Sequence, residues 1–111
     1  MFTKTKYDTN LVVIGGGSAG LISANIAATL KAKVTLIEKH KMGGDCLNTG
    51  CVPSKTLLRS AKVNHLISKA GEFGLQVSPA KVDFPAVMGR VQSVIKHIEP
   101  VDSMERYRSL G

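Results

Sequence analysis

The sequence has few of the features on which membrane-spanning, secreted or nucleic-acid-binding proteins depend. It contains no run of about 20 apolar residues, the length that a membrane span needs. The lysines near its start are not followed by an apolar segment, so no secretory signal is predicted. Aromatic residues make up 5% of the chain, whereas a nucleic-acid-binding surface usually combines a basic stripe with aromatic side chains. We expect a cytoplasmic protein with no membrane span and no nucleic-acid partner.

Acidic residues are also scarce. Asp and Glu number 8 against 15 Lys and Arg, which gives a formal net charge of +7. The basic residues are dispersed, so they fit the attraction of a phosphate-bearing ligand as well as the solvated faces of helices. With 111 residues, 43% of them hydrophobic, the chain can form one domain with one modest core.

The chain has only two cysteines, Cys46 and Cys51, both within the stretch GGDCLNTGCVPSK. A zinc site needs about four ligands, and the three histidines are scattered along the sequence. A structural disulfide across so short a loop would stabilise the fold little. In a reducing compartment the pair is therefore more typical of redox chemistry, with a metal clip and a structural bridge as the alternatives.

The first part of the chain predicts a βαβ unit. NLVVIG at 10–15 is a short, β-branched apolar run that ends in glycines, as a buried strand does. Residues 18–30 are rich in alanine with apolar residues at helical spacing, and 33–38 return to strand character. The crossover makes the two strands parallel. An irregular loop is predicted over 39–50.

The second part predicts helices. One begins near Cys51 and runs to about Ala70, and LQVS at 75–78 is typical of a short edge strand. Asp83 is a favourable N-cap for the next helix, and a further helical stretch follows Pro100. The helix after Asp83 carries one apolar stripe: Phe84, Val87, Met88, Val91, Ile95 and Ile98.

The turn after the first strand, GGGSAG, fits the pattern G-x-G-x-x-G. In this pattern Gly15 makes the tight turn, Gly17 lets the backbone approach a pyrophosphate, and Gly20 lets the helix pack closely on the strands. Glu38 ends the second strand, where an acid accepts hydrogen bonds from ribose hydroxyls. The arrangement predicts a dinucleotide site, with a ligand-free glycine turn as the alternative. The pattern does not choose between FAD and NAD(P).

The spacing of the cysteines constrains their surroundings. Two residues five apart in one regular helix are more than about 7 Å apart, which is beyond disulfide reach. We therefore expect Cys46 in the loop and Cys51 in the first turn of the following helix. The positive end of that helix should stabilise the Cys51 thiolate.

GGDCLNTGCVPSK, together with GGGSAG and Glu38, resembles the N-terminal FAD-binding region of the pyridine nucleotide-disulfide oxidoreductases. This family includes dihydrolipoamide dehydrogenase, glutathione reductase and mercuric reductase, and the resemblance covers nearly the whole chain. IEPVDSMERYRSLG is similar to a segment of a mercuric-reductase-like bacterial subgroup. The resemblance implies an α/β, Rossmann-like dinucleotide-binding fold with additional helices. It also implies that 1–111 is the N-terminal part of an FAD domain, without the NAD(P) and dimerisation domains of a homodimeric parent.

The resemblance also implies roles for single residues. Cys51 would be the sulfur next to the flavin, Cys46 the interchange thiol that meets substrate, and Lys55 a cation near the flavin. Electrons would pass from NAD(P)H through FAD to the disulfide and on to a small-molecule, thiol or disulfide substrate, or to a metal ion. No resident metal is implied. The residues implied in FAD binding are Gly15, Gly17, Ser18, Ala19, Gly20, Glu38, Lys39, Gly44, Cys46, Gly50, Cys51 and Lys55.

Asp45 departs from the family, which commonly has threonine at this position. A carboxylate beside the FAD phosphates is unfavourable unless it is turned away, protonated or bound to a cation. We also expect no metal-binding extension of the kind that many mercuric reductases carry at the N-terminus, so the substrate stays open. We expect 1–111 to be inactive alone. The alternative is a non-catalytic dinucleotide-binding or self-associating module.

Overall fold

The computed structural model describes residues 6–111, and the remaining part of the 1–111 domain assignment lies outside this range. Strand β1 (Leu11–Ile14) pairs in parallel with strand β2 (Val34–Ile37), and helix α1 (Ser18–Thr29) connects them. The register places Leu11 opposite Val34 and Ile14 opposite Ile37. The predicted βαβ unit is therefore present, and its parallel order follows from the helical crossover.

The predicted loop 39–50 is wrong over five residues, which form the short helix α2 (Gly44–Asn48). Gly43 precedes this helix with a φ of +85°, a left-handed value that turns the chain into it. The Asn48 side-chain amide then donates to the carbonyl oxygens of Gly44 at 2.8 Å and Met42 at 3.2 Å. The last residue of α2 is thus hydrogen-bonded to the first residue of the helix and to the chain just before it.

Helix α3 (Cys51–Ser68) begins at Cys51, as predicted, and is followed by a 3-10 turn at Ala70–Phe73. The edge strand predicted at 75–78 is wrong, because these residues adopt no strand among the described residues. An α-helix rises about 1.5 Å per residue, so α3 carries the chain some 27 Å onward before this segment begins. The described sheet consists of β1 and β2 alone, and neither strand pairs with this segment.

Helix α4 (Phe84–Ile98) begins as predicted, because the Asp83 carboxylate accepts a hydrogen bond from the Ala86 amide at 3.0 Å. A 3-10 turn at Glu99–Asp102 contains Pro100, and helix α5 (Met104–Leu110) follows. The Ser103 hydroxyl caps α5 by accepting from the Arg106 amide at 3.2 Å. The predicted helical stretch after Pro100 is therefore confirmed.

The apolar stripe of α4 is buried only in part. Val91 lies buried where α4 packs on α3, but Phe84 near the start of the helix is 60% exposed. The guanidinium of Arg90 joins the two helices by donating to the Thr56 carbonyl oxygen at 3.3 Å. The stripe thus covers α3 along only part of its length.

The molecule is long and thin, with extents of 82 × 26 × 19 Å. Its radius of gyration is 21.6 Å, whereas a compact domain of similar length has about 13 Å. The buried apolar residues are few among those described: Leu21, Ala24, Leu47, Ala70 and Val91. One sheet residue, Ile14, is 85% exposed, so the sheet is largely uncovered. Within residues 6–111, no helix combines the length and apolar character needed to cross a membrane.

Candidate functional site

The glycine turn between β1 and α1 has the geometry that the sequence pattern requires. Gly15 has a φ of +104°, which side chains rarely tolerate. A Cβ atom at Gly20 would lie 1.9 Å from the Gly15 carbonyl oxygen. The turn therefore depends on glycine at both positions, one for its conformation and one for the close contact of α1 with the end of β1.

The N-terminus of α1 is open to a ligand. Gly17 is its N-cap residue and contributes no side-chain hydrogen bond to the first turn. Ser18 and Ala19, which begin the helix, are exposed. Unpaired first-turn N–H groups and the positive end of the helix dipole suit a phosphate. These residues, predicted to hold the pyrophosphate of FAD, thus fit such a group.

Glu38 follows β2 and contacts the glycine turn directly. Its Oε2 accepts a hydrogen bond from the Gly16 amide at 2.6 Å, and its Oε1 accepts one from the His40 amide at 2.7 Å. The Gly16 bond, followed by the His40 bond, lowers the pKa of the Glu38 carboxyl. Glu38 is therefore an anion fixed beside the glycine turn. Lys39, the next residue, is exposed.

A second pair of glycines lies against the first turn. The Gly43 amide donates to the Gly16 carbonyl oxygen at 2.8 Å. A Cβ atom at Gly44 would lie 2.7 Å from the Gly17 Cα atom, and Gly44 has a φ of +54°. Of these glycines, the sequence analysis assigns a cofactor contact to Gly44 but no role to Gly16 or Gly43. The doubled glycine before Asp45 is the sequence signal that could have pointed to Gly43.

The two cysteines lie on different helices. Cys51 is the first residue of α3, as predicted, but Cys46 lies within α2 and not in a loop. Gly50 separates the helices, and a Cβ atom there would lie 2.8 Å from the Asp45 carbonyl oxygen. In one continuous helix the two sulfurs would be too far apart to form a disulfide. The chain instead bends at Gly50, between α2 and α3.

Both cysteines are thiols in the structure, and they influence each other. A side-chain hydrogen bond with Cys51, and next one with Ser18, lowers the pKa of Cys46. The pKa of Cys51 is raised, first by the same hydrogen bond and then by the charge that Cys46 acquires. The two pKa values thus move in opposite directions, and the interaction between the sulfurs is the first cause in each case.

Lys55 lies one turn beyond Cys51 on α3, and it is exposed. Its positive charge lowers the pKa of both Cys46 and Cys51. Lys55 thus acts on the sulfur pair through space. Among the described residues, no three His, Cys, Asp or Glu side chains cluster so as to hold a metal ion.

Asp45 is exposed in the first turn of α2. A carboxylate there is stabilised by the positive end of the helix dipole. The Thr49 hydroxyl also donates to its Oδ1 at 3.4 Å. The Asp45 carboxylate thus has a partner within the same turn of the chain.

An open cavity of about 910 Å³ lies between α1, β2 and α5. Glu38, His40, Met42, Tyr107 and Arg108 are among its lining residues. Burial, and then the charge of Asp102, raises the pKa of Tyr107. Sequence reasoning missed this cavity, because it forms only where α5 folds back beside α1.

Comparison with known proteins gives consistent matches. The family model described as pyridine nucleotide-disulphide oxidoreductase matches residues 9–107. A dihydrolipoyl dehydrogenase of Bacillus subtilis is 43% identical over 91 residues, covering 82% of this chain and 19% of that protein. A dihydrolipoyl dehydrogenase of Chlamydia trachomatis is 45% identical over 87 residues, covering 78% and 19%. A mercuric reductase of Bacillus cereus is 42% identical over 89 residues, covering 80% and 14%. The chain thus spans less than a fifth of the length of these relatives.

Proposed function

Because the chain belongs to the pyridine nucleotide-disulphide oxidoreductase family, we propose that it forms the N-terminal part of an FAD domain with a redox-active Cys46–Cys51 pair. The observation that carries this proposal is the contact between the glycine turn and the cysteine segment. The Gly43 amide, at the start of α2, bonds to Gly16 of that turn at 2.8 Å. A nucleotide site and a dithiol are thus neighbours.

Members of this family depend on FAD, with NAD(P)H as co-substrate, so the predicted cofactor is confirmed at the level of the family. When bound, FAD would supply the electron pair that it takes from NAD(P)H. This chain offers two groups of residues to hold it. The uncapped start of α1, with Gly17, Ser18 and Ala19, suits the pyrophosphate.

Glu38 would accept hydrogen bonds from the adenosine ribose. Each of its oxygens already accepts one backbone amide in the structure. A carboxylate oxygen has lone pairs for a second donor, so both contacts can be made together. The ordered carboxylate would then meet the ribose without losing its place beside the turn. Lys39, Gly44 and Gly50 are proposed to complete the FAD contacts.

The cysteines would carry the exchange chemistry. The Cys46–Cys51 disulfide takes up two electrons and two protons and becomes two thiols. The Cys46 thiolate then attacks one sulfur of a substrate disulfide, forms a mixed disulfide and releases the other sulfur as a thiolate. The Cys51 thiolate attacks Cys46, restores the original disulfide and releases the second product.

The lowered pKa of Cys46 supports its assignment as the thiol that meets substrate, because the thiolate is the attacking species. Lys55 would stabilise negative charge on both sulfurs. A metal ion bound by the two thiolates is the second substrate class that the same pair could serve, as the similarity to a mercuric reductase suggests.

We also propose that the parent protein is a homodimer with an NAD(P) domain, and that residues 1–111 alone have no turnover. The small buried core and the exposed sheet support a chain that is completed by further protein. Measured oxidation of NAD(P)H by the purified chain, at a rate above free FAD, would contradict the inactivity.

The test is a visible absorbance spectrum of the purified chain after addition of FAD and removal of excess, before and after dithionite. A retained flavin band, with a long-wavelength shoulder on partial reduction, is expected for a flavin beside a thiolate. Cys51→Ser should remove the shoulder, whereas Cys46→Ser should keep it. A shoulder that survives Cys51→Ser would contradict the assignment of Cys51 as the flavin-side sulfur.

A non-catalytic, self-associating module is the second candidate, and the exposed apolar surface favours it. Ile14, Ile22 and Leu30 are each at least 60% exposed. Such a module needs neither a flavin nor a reducible disulfide. A colourless chain that takes up no added FAD and forms oligomers in sedimentation would favour the module.

A further inference from the structure

We propose that Gly16 is a positioning residue that joins the nucleotide-binding turn to the redox-active segment. The inference rests on the proposed function, because it concerns how the two halves of that site are held together. Gly16 occupies the first variable position of the G-x-G-x-x-G pattern, so the pattern gives it no role. Its hydrogen bonds indicate a positioning role.

Both backbone polar groups of Gly16 are engaged across the site. Its amide donates to Glu38 Oε2 at 2.6 Å, and its carbonyl oxygen accepts from the Gly43 amide at 2.8 Å. One residue therefore links the end of β2 to the start of α2. A charged acceptor gives the stronger kind of hydrogen bond, so the Glu38 contact holds the Gly16 peptide firmly.

Gly16 is buried, and the space around it admits no side chain without movement. A Cβ atom there would lie 3.0 Å from Met42 Sδ and 3.2 Å from both Cβ and Cγ of Glu38. Its φ lies outside the left-handed region, so alanine is allowed by the backbone. A substitution at this position therefore tests the packing alone.

The link reaches the sulfur pair through Gly43. Gly43 is the N-cap residue of α2, and its carbonyl oxygen accepts the Leu47 amide at 3.3 Å. Leu47 is 2% exposed, which anchors the helix. Cys46 lies between these two residues in the chain, so a shift of Gly43 moves Cys46 relative to Ser18 and Cys51.

The experiment compares Gly16→Ala with Gly89→Ala, a matched control in α4, where nothing lies within 4 Å of the added Cβ. Alkylation of Cys46 by iodoacetamide is followed against pH, with peptide mapping to separate the two cysteines. We expect the midpoint for Cys46 to rise by about half a pH unit or more in Gly16→Ala, towards an ordinary thiol, and to stay unchanged in Gly89→Ala. Equal midpoints in the two variants would overturn the proposal.

A rescue variant separates positioning from general damage. Adding Met42→Ala to Gly16→Ala removes the shortest contact of the new methyl group, 3.0 Å to Met42 Sδ. At least half of the midpoint shift should then be reversed. A shift that persists in full, with the fold intact by circular dichroism, would show that this packing does not position Cys46.

FAD titration of the same proteins distinguishes this inference from the proposed function. We expect Gly16→Ala to weaken FAD binding about tenfold, because the added methyl group displaces Glu38, whose contact with the ribose is worth roughly one hydrogen bond. If the unmodified chain binds no FAD while the Cys46 midpoint still shifts, the FAD proposal fails and the positioning role stands. If FAD binds and the Cys46 midpoint does not move, the FAD proposal stands and the positioning role of Gly16 fails.

A measurement on Glu38→Ala covers the case in which Gly16→Ala does not fold. This variant removes the acceptor for the Gly16 amide and adds no bulk. Amide hydrogen exchange should quicken about tenfold at Gly16 and also at Gly43, with the Gly89 amide unchanged. Faster exchange at Gly16 alone would mean that the link does not extend to α2, and the proposal would be overturned.

Discussion

Gly20→Ala and Gly89→Ala add the same methyl group to two helices, and the structure predicts opposite effects on the free energy of unfolding. Both positions are helical, so alanine removes some conformational freedom from the unfolded chain in each case. This term alone stabilises by about 0.5–1 kcal/mol. The difference between the variants must come from the space around each Cβ atom.

That space differs sharply. At Gly89 no atom lies within 4 Å of an added Cβ, so the full propensity gain is expected. At Gly20 the Cβ would lie 1.9 Å from the Gly15 carbonyl oxygen and 3.3 Å from Val13 Cγ1. The nearest atom is backbone and belongs to the turn, so α1 must move away from β1. Forcing a group into an occupied space costs about 1–3 kcal/mol, and because the conformational gain is common to both variants, we expect them to differ by about 1–3 kcal/mol.

Urea unfolding followed by circular dichroism measures this difference directly. Gly20→Ala should have a lower midpoint than the unmodified chain, and Gly89→Ala a higher one, with similar slopes. FAD binding should be lost in Gly20→Ala and kept in Gly89→Ala. If Gly20→Ala unfolds at the same urea concentration as Gly89→Ala, the close contact between α1 and the glycine turn does not exist in solution.

Three further predictions follow from single side chains. Lys55→Met should raise the pKa of both Cys46 and Cys51, because it removes a nearby positive charge, and the pH dependence of thiol alkylation would show whether it does. Lys31→Gly should stabilise the chain by about 0.5–1 kcal/mol, because Lys31 holds a left-handed φ of +64°, and an unchanged thermal midpoint would contradict this. The pKa of Glu38 is lower in the folded chain than its ordinary value of 4.5, so its contribution to stability is present above that pH and declines as the pH falls through the folded pKa. Glu38→Gln should therefore flatten the loss of stability in acid, as measured by unfolding at a series of pH values.

The glycine turn and Glu38 could be predicted from the sequence because each depends on local spacing. The strand, the turn and the helix occupy adjacent residues, and the helical crossover fixes where β2 must end. Helix α2 could not be predicted in the same way. It depends on the left-handed Gly43 and on the bond from Gly43 to Gly16, which joins two segments 27 residues apart. The doubled glycine before Asp45 signals a turn, but the sequence does not indicate that the turn contacts Gly16.

The interaction between the two cysteines was also beyond sequence reasoning. The spacing alone places Cys51 at a helix N-terminus. In the structure, Cys51 and then Ser18 lower the pKa of Cys46, and Cys46 raises the pKa of Cys51. Both shifts depend on how the two helices meet at Gly50, which is a property of tertiary packing. The edge strand failed for a related reason, since a strand needs a sheet edge within reach.

The contacts that build the site are close together along the chain, and this has a consequence for folding. The glycine turn, Glu38 and the two cysteine helices all lie between residues 11 and 68, and their contacts close loops of fewer than about 40 residues. Loop closure of this length carries a small entropic penalty and favours rapid folding. The hydrogen bonds that join the glycine turn to Glu38 and to Gly43 involve no residue of α4 or α5. During synthesis, the nucleotide-binding turn and the dithiol can therefore meet while the later helices are still being made.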